Sequence, residues 1–404
     1  MDQQIVPINP SLLQWARMEA GFSLQEAVAR AKVTPPRKKK NEPEITPEQR
    51  LAAWESGHEF PSLNQLEKIA VAYRRPLVTF FLPQPPTKIM PLADFRTTSD
   101  FSSSVDSPEF AALKRKITVL HRELLALAKE DDIAPLPFVG SMDSSSSIES
   151  IISNIRKFLQ ISFKQQVQIR SEDDLLAYFR ELSHNAGIFV LFEGNLGSHH
   201  SNISPDEFRG IAIADKTVPL IVINPNDAKA ARVFTFIHEL AHIFLGSSGI
   251  SNLNALSIHS ADKKIERLCN AVAAELLMPK DYINTIWKQP SKEDRENLHR
   301  IVDDFAKKFK VSGAVAGRRL VDLQYISSNE YGALLAFYQR RWEKHKERQA
   351  QKGDGPSRNV LDGFRLGQKT IHTIVNAAYN GRMSLQDASR VLNIPVSRFD
   401  KVMR

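Results

Sequence analysis

"FTFIHELAHIFLG", residues 234–246, decides how the rest of the chain is read. His238 and His242 stand four apart, Glu239 directly follows the first, and the surrounding residues are apolar enough for a core helix. Residues four apart on a helix share a face at about 5–6 Å, so both imidazoles can be directed at one ion. Glu239 falls at the edge of that face, where its carboxylate can take a proton from an attacking water instead of binding metal. Gly246 is placed to end the helix. Two imidazoles do not complete a zinc site, so a third protein ligand is required.

The segment "IERLCNAVAAELLMP", residues 265–279, supplies two candidates, Glu266 and Glu275. Its apolar residues Ile265, Leu268, Cys269, Val272, Leu276 and Leu277 form one buried stripe of a helix. The two glutamates are about two and a half turns apart and flank opposite borders of that stripe, so only one can face an ion. Helical geometry alone leaves both open. Here the sequence resembles the ImmA/IrrE family of zinc metallopeptidases, whose paired signatures "HELAH" and "IERLCNAVAAELLMP" look like. The resemblance implies a zincin-like α+β domain holding one zinc ion per chain. His238, His242 and Glu266 would be the ligands and Glu239 the general base. It also implies hydrolysis of a peptide bond in a regulatory protein, such as a transcriptional repressor. A structural zinc would be expected to show a fourth ligand, usually cysteine. The single cysteine, Cys269, reads instead as part of the apolar stripe. His199, His200 and His259 read as surface or supporting residues. The alternative reading is a DNA-binding regulator whose zinc domain senses or stabilises without cutting.

Working outward, "GIFVLFEG", "FRGIAIAD" and "VPLIVINP" between residues 186 and 225 are short β-branched and aromatic runs bounded by Gly, Asp and Pro, and predict strands. The metal helix follows directly, so the histidines belong to an α+β domain beside a small sheet. The strand "FRGIAIAD" is a candidate to pair with an extended substrate above the metal. Upstream, Phe110, Leu113, Ile117, Leu120, Leu124 and Leu127 alternate spacings of three and four, which predicts a long amphipathic helix over residues 107–129. "SMDSSSSIES", residues 141–150, has the composition of a linker.

Residues 9–82 read as short helices joined by tight turns. Ser23 with Glu26 makes a capping box, Gly57 closes a second helix, and a third starts at Ser62 and is stopped by Pro76. This stretch, with "RRPLVTFFLPQPP" and "ADFRT", is similar to a longer branch of the same family that carries an N-terminal helix-turn-helix. "TPPRKKKNEPEIT" intrudes where that motif has a short turn; its Arg37, Lys38, Lys39 and Lys40 offer phosphate contacts to duplex DNA, and the alternative is a scaffold that contacts protein or holds the peptidase inactive. The domains expected are 1–88 (helix-turn-helix), 89–150 (connecting helix and linker), 151–325 (zinc metallopeptidase) and 326–404 (small and helical). The net charge of +8 on 404 residues is modest, with a second basic run at 339–352. With no basic-then-apolar leader and no apolar run near eighteen residues, the expected location is cytoplasmic, away from membranes.

Overall fold

The computed structural model describes residues 8–35, 45–86, 93–94, 106–197, 201–251, 261–291, 295, 297–349 and 358–403. Arg37 to Lys40 lie outside them, as do His199, His200, His259 and most of the polar stretch after Gln349. The chain divides into two compact units. The first takes residues 1–91, 101–118 and 198–201, and the second takes 92–100, 119–197 and 202–404.

In the first unit, α1 (Pro10–Glu19), α2 (Leu24–Ala31), α3 (Pro47–Ser56) and α4 (Leu63–Ala72) enclose Leu13, Leu51, Trp54, Leu66, Ile69 and Phe80. Each of α2, α3 and α4 opens on a reciprocal capping box, made by Ser23 with Glu26, Thr46 with Gln49, and Ser62 with Gln65. Gly57 closes α3 in the left-handed region, as expected. Helix α4 stops before Pro76 is reached: Tyr73 is its C-cap and Arg74 takes a positive φ of 53°. The long amphipathic helix is α5 (Pro108–Glu130), assigned to the first unit up to residue 118 and to the second from 119, with its six apolar stripe residues all buried.

The second unit is built on a five-stranded mixed sheet in the order β1-β5-β3-β4-β2. The strands are β1 (Ala93–Asp94), β2 (Phe189–Phe192), β3 (Gly210–Ile213), β4 (Leu220–Ile223) and β5 (Gly249–Ser251). Every residue of β2, β3 and β4 is buried, so these strands are apolar along their whole length instead of alternating. Strand β3 pairs antiparallel with β4 on one side and with β5 on the other. This corrects the expectation that "FRGIAIAD" offers a free edge to substrate, because its two neighbours already take its ladder hydrogen bonds. β1 pairs parallel with β5, and β2 forms the opposite end of the sheet.

Helices α6 (Ile148–Leu159), α7 (Phe163–Gln168), α8 (Glu172–Asn185), the histidine-bearing α9 (Lys229–Phe244), α10 (Ala261–Leu277) and α11 (Lys280–Ile286) belong to the same unit; α8 and α9 pack on the sheet, and α6 and α10 pack on α9. All residues of α9 from Val233 to Phe244 are buried, which makes it the central helix of this unit. The stretch expected to be a linker is instead folded into the same unit. Gly140 and Met142 donate their N–H groups to the carbonyls of Ile243 and Phe244, and Ser147 caps α6. These bonds occupy orphan carbonyls at the C-terminus of α9.

Beyond α11 come α12 (Leu298–Phe309), α13 (Gly313–Asp322) and α14 (Ser328–Gln349). The C-terminal helices are α15 (Arg358–Leu366), α16 (Gln368–Tyr379), α17 (Leu385–Leu392) and α18 (Phe399–Val402). Phe364 of α15 stacks on Phe192 at the end of β2, and Arg365 pairs with the buried Glu193 next to it.

Candidate metal centre

The centre is assembled from two neighbouring helices. α9 supplies His238, Glu239 and His242, with relative exposures of 0%, 0% and 1%, and α10 supplies Glu266 at 6%. The start of α9 is fixed by a polar collar. The fully buried Asn224 donates to the carbonyls of Ile203 and Phe208, Asn226 donates to those of Gly194 and Ile203, and Arg209 meets Asp227 at 3.2 Å. At the other end, Gly246 turns the chain with φ 66°, and a β-carbon built on it would come within 3.0 Å of the Gly140 α-carbon, so this turn takes glycine.

The His238 and His242 Nε2 atoms lie 3.1 Å apart. Glu266 Oε2 is 3.2 Å from the first and Oε1 is 2.9 Å from the second. Three electron-pair donors thus crowd into one buried spot, where they repel unless a proton or a cation lies between them. The separations are close to the edge of a tetrahedron with zinc–ligand bonds of about 2.0–2.1 Å, which is about 3.3 Å. Among the described residues this trio forms a group able to hold a metal ion, with all ligand atoms within 4.8 Å of one another. The donor set of two imidazoles and one carboxylate fits zinc, whose fourth position a water would take.

The electrostatics agree with that fit. Burial works against charge on His238, but the charge and hydrogen bond of Glu266, with Glu239 and Asn270 adding, raise its pKa above the ordinary histidine value. At His242 burial prevails, reinforced by His238, and the pKa falls. Burial also opposes charge on Glu266, yet the two facing histidines overcome it and hold the carboxyl at about 2. The pocket therefore keeps a carboxylate ionised within a dry helical layer.

Glu239 lies against β3, whose Gly210 leaves space for the carboxylate: a β-carbon at Gly210 would overlap Glu239 Oε1, Cδ and Cγ. Glu275 stands apart from the trio, paired with Arg319 and accepting the Lys280 N–H. Cys269 is fully buried, and burial, with Glu266 and Glu239 adding, pushes its thiol well up. Two neighbours escaped the sequence reading. Gly210 gives no local signal beyond a glycine opening a strand. Asn270 places Oδ1 at 3.1 Å from His238 Nδ1, and its signal was available: it follows Glu266 by four residues, as His242 follows His238.

Residues 185–321 match the Peptidase_M78 family, described as the IrrE N-terminal-like domain. The match spans β2 to β5, α9 and α10, and so contains the whole trio and Glu239. It marks this segment as metallopeptidase-like, a class that acts on protein substrates. No curated protein matches the chain. No helix among the described residues is long and apolar enough to cross a membrane.

Proposed function

We propose that the chain is a zinc-dependent metallo-endopeptidase joined to an N-terminal helix-turn-helix, acting in the cytoplasm on a specific regulatory protein such as a transcriptional repressor. The observation that carries this reading is the convergence of His238, His242 and Glu266 within about 3 Å of one another, with Glu239 on the next helical position. These three residues would hold one zinc ion per chain. When bound, the ion supplies Lewis acidity that polarises the scissile carbonyl and makes a neighbouring water acidic.

Glu239 performs the proton transfers. It accepts the proton of the attacking water and later delivers it to the departing amine nitrogen. The wall of β3 at Gly210 fixes where that carboxylate sits, and the apolar residues of α9 exclude bulk water from it. The regulatory substrate and duplex DNA as partner of residues 1–88 complete the proposal; the four cations Arg37 to Lys40 support the DNA contact.

Glu239→Gln tests the chemistry and identifies the substrate together. An amide cannot serve as the base, so the variant should keep zinc and fold while losing turnover. Expressed in the native host beside wild type, it should leave intact one or a few proteins that wild type cuts, as read by mass spectrometry of protein termini. If termini are identical in the two strains under resting and stress conditions, the peptidase reading fails in favour of a regulator that does not cut.

A further inference from the structure

We propose that Asn270 is a positioning residue that fixes the ring of His238 and selects the tautomer able to bind metal through Nε2. The inference rests on the metal reading above and adds to it a residue with no ligand atom of its own.

A neutral imidazole has one N–H donor and one lone pair, and which nitrogen carries the proton is set by the partner of the other. His238 is fully buried, so bulk water does not reach it to supply that partner. At 3.1 Å, Asn270 Oδ1 is an acceptor for a proton on Nδ1, which leaves the Nε2 lone pair facing Glu266 and His242. In the other tautomer two lone pairs would meet at Asn270, and an N–H would project into the spot where the cation sits. Glu266 and Asn270 are one turn apart on α10, just as the two histidines are on α9. One face of α10 thus delivers both a ligand and the group that orients the ligand opposite. Ring orientation and tautomer are set by such outer partners in metal sites generally, and their loss weakens metal affinity about 10–100-fold.

An amide can turn over and donate from Nδ2, which favours the wrong tautomer, whereas a carboxylate can only accept. That difference gives the test three proteins: wild type, Asn270→Leu and Asn270→Asp. Zinc dissociation constants are measured by competition with a chromophoric chelator, melting temperatures are taken without metal, and ¹⁵N spectra of the zinc-loaded forms report which ring nitrogen is protonated. Asn270→Leu should bind zinc about 10–100-fold more weakly. Its metal-free melting temperature should stay near that of wild type. Asn270→Asp should bind at least as tightly as wild type, with a protonated Nδ1 on His238. The inference is overturned if wild type binds one zinc and Asn270→Leu binds it equally well, or if Asn270→Asp is as weak as Asn270→Leu. Wild type that binds no zinc overturns the metal reading itself, a distinct outcome.

Discussion

At the scale of single residues, the two glutamates of α10 show how similar side chains divide their work by neighbourhood. Glu266 faces two imidazoles, whereas Glu275 holds Arg319, whose side chain is only 9% exposed. Glu266→Ala and His242→Ala should therefore lose most of the zinc measured by metal analysis of purified protein. Glu275→Ala should keep it. The second variant instead leaves the Arg319 guanidinium short of a partner and should lose about 1–3 kcal/mol of stability in denaturant unfolding. Loss of zinc from Glu275→Ala with retention in Glu266→Ala would reverse the assignment. Gly210→Ala is the complementary change, because its methyl group pushes on the Glu239 carboxylate and touches none of the three putting lone pairs into the pocket. It should retain zinc and lose most turnover. The spacing of His238, Glu239 and His242 could be read in the sequence because the α-helix converts separation along the chain into a shared face. The choice between Glu266 and Glu275 did not follow from spacing, since it depends on how α10 is rotated against α9; only the family resemblance pointed to Glu266. Gly210 was equally hidden, because its neighbour Glu239 is reached only through the fold.

At the scale of elements, strands and helices were recoverable where burial makes composition periodic, and their partners were not. The three apolar runs became β2, β3 and β4, yet their order places β3 inside the sheet. Composition says that a run is buried on both faces, while strand order depends on connections across the chain. The polar stretch after Gly140 reads otherwise in the fold for a related reason: residues that suit a linker also suit turns and caps, and here Asp143 accepts from the N–H groups of Ser145 and Ser146 while Ser147 caps α6. The C-terminal helices are held to the β2 end of the sheet by cations. Arg180 of α8 donates to the carbonyls of Phe364 and Val190, and Lys369 of α16 donates to that of His184. Burial, with Arg180 and Lys369 adding, lowers the pKa of His184 from 6.5 to about 3. Since the unfolded chain takes up this proton near pH 6.5 and the folded chain resists until about 3, the contribution of His184 to stability is complete above that window. It is lost progressively as pH falls through it. Urea midpoints measured from pH 7 to pH 4 should fall, and His184→Gln should flatten part of that fall. An unchanged slope would place the acid sensitivity elsewhere. Arg365→Ala should cost about 2–3 kcal/mol, because the Glu193 carboxylate, 2% exposed, loses a charged partner.

At the scale of the whole molecule, the division of labour proposed for the two compact units has a direct electrostatic test. The chain carries 54 Lys and Arg against 46 Asp and Glu, an excess too small to mark a nucleic-acid binder by itself. The four consecutive cations Arg37 to Lys40 are a different matter: they fall between α2 and α3, in a segment whose length breaks the usual turn of a helix-turn-helix. If they lie along a DNA backbone, each phosphate neutralised adds about 0.9 to the slope of log affinity against log salt. Full-length protein should then bind a duplex carrying its own control region with an affinity that falls steeply as salt rises. Replacing Arg37, Lys38, Lys39 and Lys40 together by Gln should weaken binding to every duplex alike and lower the slope by up to about 3–4. Preference for one sequence over another should survive, because phosphate contacts position the protein and base contacts specify the site. The same measurement on zinc-stripped protein should give the same affinity, since the metal trio belongs to the second unit. Should the quadruple variant match wild type at every salt concentration, the four cations make no phosphate contact; should wild type itself bind every duplex equally weakly, residues 1–88 are a surface for recognising protein, and the regulatory substrate becomes the partner to seek there.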